Sequence, residues 1–265
     1  MAYVPASNKR GDLVAVLSRA GFVAAEEEAT ELLVCADGDP ARLGSLIERR
    51  LRGEPLAWIT GRVSFCGLEI RVDPGVYVPR WQSEPLALRA VARLPDTGVA
   101  VDLCTGAGSI AKVLALNSPT ARVVASDLDE RAVACAAANG VEVYRGDLFA
   151  PLPPGIAGLV DVVVGVVPYV PTFALGLLPR DTLVFESNLS YDGGPDGTGV
   201  LRRVLVDSIE YLRPGGALLL ELGADQAEVL ANDLDDLGFV DLEVLEDDDG
   251  DARGIEATFS AATAR

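Results

Sequence analysis

The stretch Val101-Asp-Leu-Cys-Thr-Gly-Ala-Gly-Ser-Ile-Ala111 decides the fold. It joins a short apolar run to a helical pattern through a turn that contains Gly106 and Gly108. Glycines at such a strand-to-helix turn let the backbone approach a ligand closely, beside the free amide groups that open the helix. The spacing also matches the dinucleotide-binding fingerprint, which is a weak signal when it stands alone. A tight turn without any ligand is the alternative.

Around this turn, from Pro95 onward, buried strand-like runs alternate with helical patterns. This alternation predicts an α/β domain with an open, mostly parallel sheet of seven strands and a ligand site at the strand carboxyl ends. The predicted strands cover residues 99–103, 122–127, 141–145, 159–164, 217–222, 240–245 and 254–259, the last two being antiparallel. The predicted helices cover residues 109–116, 130–139, 199–212 and 224–237. The long irregular stretch 166–198 is the predicted substrate loop.

The residues before this domain have a different pattern. From Leu13 to Leu51, apolar residues recur at spacings of three and four, which predicts three short helices. Residues 63–78 then contain two strand-like runs around the turn Asp73-Pro74-Gly75, which predicts a hairpin. We therefore expect a helical N-terminal domain with a hairpin over residues 1–85, and the α/β domain over residues 86–265.

Composition excludes several classes of function. Lys and Arg together number 22 against 40 Asp and Glu, so the formal charge of −18 would repel nucleic acid. The chain has no His, which excludes Ser-His-Asp and Cys-His hydrolases, and its four Cys show no metal-binding spacing. We expect reduced thiols, no metal site, no membrane segment and a cytoplasmic protein. The sequence does not predict an oligomeric state.

Acidic residues follow the predicted strands where a nucleotide-like cofactor would bind. Asp127 ends the second strand about 20 residues after the glycines, where an acid can accept both ribose hydroxyls, whereas Asp129 reads as a helix N-cap. Asp147, after the third strand, either accepts an adenine amino group or belongs to an ordinary turn. Asp102 favours S-adenosylmethionine over NAD, because it can lie near the ammonium group of the methionine moiety. Its alternative role is to fix the loop through backbone amides.

A series of ordered blocks between about residues 50 and 240 resembles the release factor glutamine N5-methyltransferase family, also called HemK or PrmC. The blocks are Gly53-Glu-Pro-Leu-Ala-Trp-Ile-Thr-Gly-Arg62, Phe65-Cys-Gly-Leu68, Val72-Asp-Pro-Gly-Val-Tyr-Val-Pro-Arg80, Asp102-Leu-Cys-Thr-Gly-Ala-Gly108, Gly146-Asp-Leu-Phe149, Val167-Pro-Tyr-Val170, Asp192-Gly-Gly-Pro-Asp-Gly197, Pro214-Gly-Gly-Ala-Leu-Leu-Leu-Glu-Leu-Gly223 and Gly238-Phe239. The resemblance is strongest to a branch of this family that has a Cys in the glycine motif, as this chain has at Cys104. It implies a helical domain joined by a hairpin to a Rossmann-like class I methyltransferase domain that uses S-adenosylmethionine and releases S-adenosylhomocysteine.

The chain departs from the family pattern at two places. The family signature Asn-Pro-Pro-Tyr is replaced by Val166-Val-Pro-Tyr169, and the family sequence Pro-Arg-Pro-Glu-Thr-Glu is replaced by Pro79-Arg-Trp-Gln-Ser-Glu84. In the family, the Asn carbonyl and the following backbone carbonyl accept the two N–H bonds of the target glutamine amide, and the side chain of Val166 offers no acceptor. The change favours a smaller, less polar acceptor, and Trp81 is either an aromatic wall of that site or core packing.

These observations predict a methyltransferase that acts on a small-molecule or peptide acceptor. Its alternatives are methylation of a glutamine in a release factor or another protein, and a cofactor-binding homologue without catalysis. The predicted cofactor-binding residues are Asp102, Cys104, Thr105, Gly106, Gly108, Asp127, Leu128, Asp147, Leu148 and Val166. Pro168 and Tyr169 are the predicted catalytic residues, with the Tyr ring facing the sulfonium methyl. The predicted acceptor-binding residues are Arg80, Trp81, Val167 and Glu186, and we expect the acceptor to enter between Trp81 and residues 166–169. Glu186 and Asp192 are the candidates for a general base.

Overall fold

A computed structural model of the chain describes residues 10–178, 180–223 and 225–260. The chain divides into two compact units, Met1–Arg62 and Val63–Arg265. This division places the hairpin with the larger unit, whereas the expected boundary near residue 85 placed it with the N-terminal helices.

The smaller unit, in its described residues from Arg10 on, contains four helices. They are α1 (Arg10–Arg19), α2 (Ala25–Ala36), α3 (Pro40–Leu51) and α4 (Leu56–Thr60). The sequence predicted three, and α4 was missed because a helix of five residues is too short to show a period. The apolar residues at helical spacing form one core around Leu13, Leu17, Leu32, Leu43 and Ile47. The Asp39 carboxylate accepts two backbone N–H bonds at the start of α3.

The predicted hairpin is present, but its turn is in a different place. Strand β1 (Arg62–Phe65) pairs with β2 (Leu68–Arg71) through Cys66 and Gly67. These two residues have φ angles of 48° and 73°, and positive φ at both positions gives the twist that suits a two-residue hairpin. The turn at Asp73-Pro74-Gly75 also forms, with the Val76 N–H donating to the Asp73 carbonyl over 3.1 Å. The prediction of a hairpin turn there was wrong.

Hydrogen bonds explain why the hairpin belongs with the larger unit. The Arg71 N–H donates to Oδ1 of Asn139 over 3.0 Å, and Nδ2 of Asn139 donates to the Arg71 carbonyl over 2.9 Å. Nδ2 of Asn139 also donates to the Ala107 carbonyl over 2.8 Å. One side chain thus joins the end of β2 to the glycine turn.

The larger unit is built on a seven-stranded sheet in the order β5-β4-β3-β6-β7-β9-β8. The strands are β3 (Val99–Leu103), β4 (Arg122–Asp127), β5 (Glu142–Arg145), β6 (Val160–Gly165), β7 (Leu212–Glu221), β8 (Phe239–Glu246) and β9 (Ala252–Phe259). Its helices are α5 (Glu84–Arg93), α6 (Ser109–Asn117), α7 (Glu130–Ala138), α8 (Arg180–Phe185), α9 (Gly199–Tyr211) and α10 (Gln226–Asp236). The strand order reverses between β3 and β6, so a crevice opens at their carboxyl ends. The sheet confirms the Rossmann-like class I fold.

Three details differ from the prediction. Strand β9 runs antiparallel to both of its neighbours, so β8 points the same way as β7 and only the last strand is reversed. Strand β7 begins at Leu212, before the predicted start at 217. Leu212 already pairs with Val160 of β6, and the pairing resumes at Ala217 after a register shift. Helices α5 and α8 were not predicted, and α8 lies inside the stretch 166–198 that was expected to be irregular. Within the described ranges, no helix is long and apolar enough to cross a membrane.

Candidate functional site

A cavity of about 380 Å³ lies at the carboxyl ends of β3, β4, β5 and β6. Its volume is within the range of about 300–1,000 Å³ that small-ligand sites occupy. The predicted site residues that line it are Cys104, Gly106, Asp127, Leu128, Asp147, Leu148, Val166 and Pro168. The structure therefore brings most of the predicted cofactor residues together at the predicted edge of the sheet.

The turn after β3 exposes its backbone to this cavity at Gly106. Gly106 has a φ of 56°, and the nearest atom to a Cβ added there would be Tyr77 Cβ at 3.9 Å. A side chain at this position would therefore occupy space that a ligand can use. Cys104 also has a positive φ, 54°, which a non-glycine residue rarely adopts.

Gly108 has a packing role in place of the predicted contact with the cofactor. It precedes α6 with a φ of 80°, and an added Cβ would lie 2.9 Å from Val141 and 3.0 Å from Ala136. Gly108 is not among the residues that line the cavity. The absence of a side chain here lets the start of α6 pack closely against the end of α7.

Asp102 is a buried acid that fixes the glycine turn. Its Oδ2 accepts hydrogen bonds from the Thr105 hydroxyl over 2.6 Å and from the Ala111 N–H over 3.1 Å. Burial raises the pKa of Asp102 to about 7. Asp102 and Thr105 line a second cavity of only about 30 Å³. The loop-fixing role considered for Asp102 is thus present, and contact of these two residues with the cofactor stays a prediction.

Asp127 ends β4 and faces the larger cavity. Its Oδ2 accepts from the Gly106 N–H and its Oδ1 from the Asp129 N–H, both over 2.9 Å. Burial raises the pKa of Asp127. Because each carboxylate oxygen has two lone pairs, Asp127 can still accept hydroxyl groups from a ligand. Asp129 caps α7 by accepting from the Arg131 N–H over 2.9 Å, which confirms the N-cap interpretation.

Asp147, after β5, forms an ion pair with a residue that the sequence analysis did not single out. Its Oδ2 lies 2.6 Å from Nη2 of Arg203 on α9, and both side chains line the cavity. Asp147 has further lone pairs that can accept an amino group. The guanidinium of Arg203 offsets its negative charge within the same cavity.

The changed motif begins directly after β6. Val166 lines both cavities, and Pro168 lines the larger one. Val167 is buried among the core residues of the sheet. The Val167 side chain is taken up by core packing, so only its main-chain carbonyl could contact an acceptor, and that contact stays a prediction.

Tyr169 is held at both its side chain and its main chain. Its hydroxyl donates to Oε1 of Glu221 over 2.9 Å, and its carbonyl accepts from Nε2 of Gln226 over 2.8 Å. Burial raises the pKa of the Tyr169 phenol. Tyr169 is not among the residues that line the larger cavity, so its catalytic role stays a prediction.

Glu186 is an anchor for the segment before α5. Its side chain is 1% exposed, and its carboxylate accepts from the Val78 N–H over 3.2 Å and from Nη2 of Arg80 over 2.7 Å. The Tyr191 hydroxyl also donates to it. The buried carboxylate is occupied by these three donors and does not line the larger cavity, so the geometry does not fit the general base that the sequence offered.

The other candidate base, Asp192, lines the larger cavity. Its Oδ1 accepts from the Thr172 hydroxyl over 2.7 Å and from the Gly194 N–H over 3.0 Å. The bond from Thr172, followed by that from Gly194, lowers the pKa of Asp192. A low pKa weakens a base, so Asp192 is also poorly suited to accept a proton.

Trp81 lies apart from Val166 and Pro168. Its side chain is 72% exposed and lines a separate groove of about 300 Å³ beside residues of β8 and β9. Trp81 starts the short 3-10 helix Trp81–Ser83, which turns the chain into α5. The predicted acceptor entrance between Trp81 and residues 166–169 is therefore wrong, because the two sides of that entrance belong to different cavities.

Tyr77 and Arg203 line the larger cavity and were missed by the sequence analysis, as was Glu221, which lines the groove of Trp81. Tyr77 lines both cavities, and burial raises its pKa to about 12. Tyr77 and Glu221 lie inside blocks that resemble the family, so the resemblance offered a signal for them. Arg203 lies on a helix with no such signal.

The cavity fits an adenosyl group. Such a group carries neighbouring hydroxyls, an amino group and an apolar ring. Asp127 can accept the hydroxyls, Asp147 can accept the amino group, and Leu128 and Leu148 supply apolar surface. Gly106 leaves room for the ligand beside the backbone.

Comparisons with known proteins agree with this geometry. Residues 71–153 match the family model "Methyltransferase small domain". The chain is 36% identical over 211 residues to the release factor glutamine methyltransferase of Geobacter sulfurreducens, covering 77% of this chain and 73% of that protein. It is 34% identical over 208 residues to the 4-amino-L-phenylalanine/4-methylamino-L-phenylalanine methyltransferase of Streptomyces pristinaespiralis, covering 74% and 70%.

A solved structure shares the fold. The 16S rRNA N2 G1207 methyltransferase of T. thermophilus, in complex with AdoMet and guanosine, has a TM-score of 0.50 and 19% identity. The match covers 76% of this chain and 45% of that one.

Proposed function

This chain belongs to the release factor glutamine methyltransferase family, and we propose that it methylates a small-molecule or peptide acceptor other than the release-factor glutamine. It is a methyltransferase that uses S-adenosylmethionine. When bound, this cofactor supplies an electrophilic methyl group attached to a positively charged sulfur.

In this proposal, the cofactor is held by the residues that line the 380 Å³ cavity. Gly106 offers its open backbone, Asp127 accepts the ribose hydroxyls, and Asp147, paired with Arg203, accepts the adenine amino group. The acceptor binds beside Val166 and Pro168. The protein aligns the acceptor atom with the methyl group, and such positioning can account for much of the rate.

The single observation that carries the proposal is Val166 on the cavity wall. A buried N–H donor that loses its partner costs about 1–3 kcal/mol. If that cost falls on the transition state, transfer to an amide slows by roughly tenfold to a hundredfold. The polar site that would orient a glutamine amide is thus weakened at the position where the family uses it.

The rest of the lining supports an acceptor with apolar surface. Val76, Tyr77, Leu189 and Val200 line the same cavity as Val166. The relative from Streptomyces pristinaespiralis carries the name of an enzyme for 4-amino-L-phenylalanine. An amine on an aromatic amino acid is therefore the first small acceptor to test.

Methylation of a release-factor glutamine is the second candidate. The name of the Geobacter sulfurreducens relative favours it. In that case, another group must replace the amide acceptor that Val166 lacks.

An acceptor panel separates the two candidates. The full chain is incubated with S-adenosylmethionine and either intact bacterial release factor or 4-amino-L-phenylalanine, and methylated products are detected by mass spectrometry. We expect methylation of the small acceptor and none of the release factor. Methylation of the release factor alone would overturn the proposal.

Val166→Asn tests the residue itself. We expect it to raise glutamine methylation by about tenfold or more, because it restores an amide acceptor. Val200→Asn is the matched control, since it adds the same side chain to another wall of the same cavity. Equal effects of the two variants, or none from Val166→Asn, would show that position 166 does not decide the acceptor.

A further inference from the structure

Glu221 is a buried carboxylate that lines the groove of Trp81, on the strand next to the one that precedes Val166. It ends β7, next to β6, where Leu220 pairs with Gly165. It is 7% exposed. Its position at the carboxyl end of a central strand places it at the same edge of the sheet as Val166.

The Glu221 carboxylate joins two segments that are far apart in the sequence. Its Oε1 accepts from the Tyr169 hydroxyl over 2.9 Å, and its Oε2 accepts from the Ser83 hydroxyl over 2.5 Å. Tyr169 directly follows the cavity residue Pro168, and Ser83 ends the turn that begins at Trp81. One side chain therefore fixes both the loop after β6 and the turn before α5.

The surroundings of Glu221 do little to stabilise a buried negative charge. A buried carboxylate needs strong compensation, and its neighbour Glu256 on β9 receives it from Arg89 and Arg93. Both hydrogen-bond donors to Glu221 are hydroxyls, which are neutral, and Arg253, the nearby cation that lowers its pKa, forms its ion pairs with Asp247 and Asp251. Burial accordingly raises the pKa of Glu221. Burial of the Glu221 carboxylate without a charged hydrogen-bond donor costs stability. A carboxylate kept at such a cost at the ligand edge of the sheet indicates a role in the site.

We propose that Glu221 is a positioning residue for methyl transfer, which acts by holding Tyr169 and thereby the cavity wall at Pro168. Gln226 fixes the Tyr169 main chain, and Glu221 fixes its side chain. Because its main chain and its side chain are both held, Tyr169 keeps the preceding residue, Pro168, in place beside the acceptor. This inference rests on the proposed place of the acceptor beside Val166 and Pro168.

The test compares Glu221→Gln, Tyr169→Phe and the double variant on whichever acceptor the panel selects. We expect Glu221→Gln to lower kcat by about tenfold or more, while the affinity for S-adenosylhomocysteine stays unchanged in calorimetry. The double variant should lose no more than the larger single loss, because both changes break one contact. Glu256→Gln is the matched control and should lower the unfolding temperature without lowering kcat.

Two results would overturn the inference. One is a folded Glu221→Gln protein with the kcat of the original chain. The other is a double variant whose loss is the product of the two single losses, since Glu221 would then act independently of Tyr169. If the release factor is the only substrate in the panel, the proposed function fails, and the Glu221 comparison proceeds on that acceptor.

If no acceptor in the panel is methylated, the contact between Glu221 and Tyr169 is tested by a measurement that needs no acceptor. The charge of Glu221 and its hydrogen bond add to burial in raising the pKa of the Tyr169 phenol. Glu221→Gln weakens this hydrogen bond, so the tyrosine band in the ultraviolet difference spectrum against the original chain should shift, and this shift should be absent in the Tyr169→Phe background. A difference spectrum without such a shift would mean that the contact is absent in solution, which also overturns the inference.

Discussion

Replacing Asp102 by Asn should make the stability of the larger unit less dependent on pH. Asp102 is 2% exposed, and one of its oxygens accepts from the Thr105 hydroxyl and the Ala111 N–H. Burial is the main cause that raises its pKa to about 7, from an ordinary value of about 4 in an unfolded chain. The two hydrogen bonds oppose this rise without cancelling it.

The sign follows from proton binding. Because the pKa of Asp102 is higher in the folded state, the folded state binds more protons between about pH 4 and pH 7, so this residue lowers stability as the pH rises through that window. The gap between the two pKa values corresponds to about 4 kcal/mol. Asn does not titrate. The stability of the original chain should therefore fall relative to the variant by up to about 4 kcal/mol across the window.

Urea unfolding at about pH 4.5 and about pH 8 measures this difference. Trp58 lies in the smaller unit and Trp81 in the larger one, so both proteins are studied in a Trp58→Phe background with Trp81 as the fluorescent reporter. Comparison of the two proteins cancels the titration of the other acids. Parallel changes in the free energy of unfolding would refute the argument, because Asp102 would then have the same pKa folded and unfolded.

Three further variants test the site. Gly108→Ala should destabilise the larger unit by about 2 kcal/mol in urea unfolding, since its Cβ would lie 2.9 Å from Val141 at a φ of 80°. Asp127→Asn should weaken S-adenosylhomocysteine binding by about tenfold or more in calorimetry, whereas Asp39→Asn, the cap variant of α3 in the smaller unit, should leave it unchanged. Glu186→Gln should lower the unfolding temperature and keep the shape of the pH profile of kcat; a lost acidic limb would restore Glu186 as a base.

Much of the fold could be predicted because its strongest signals are local. Strands β3 and β6 are central and buried on both faces, so each one is almost entirely apolar, with Asp102 and Asp161 as the exceptions. The carboxyl ends of such strands meet at one edge of the sheet. This geometry made Asp127 and Asp147 predictable as site residues from their positions alone.

Partners that are distant in the sequence could not be predicted in this way. Arg203 is 56 residues from Asp147, and Glu186 is 106 residues from Arg80. No periodicity or turn rule relates such pairs. Trp81 illustrates the same limit, because only the direction of the 3-10 turn decides which cavity it lines.

The hydrogen bonds of Glu186 and Glu221 explain how the fold around the proposed acceptor site can tolerate a change at position 166. Glu186 holds Val78 and Arg80, and Glu221 holds Ser83, while each carboxylate also binds a tyrosine of the loop after β6. Because these charges are buried, loss of a single donor is costly, which constrains the residues that supply them. The Val166 side chain takes no part in these hydrogen bonds. It can therefore differ from the family residue without breaking these hydrogen bonds, and a substitution there changes the wall of the cavity beside the acceptor.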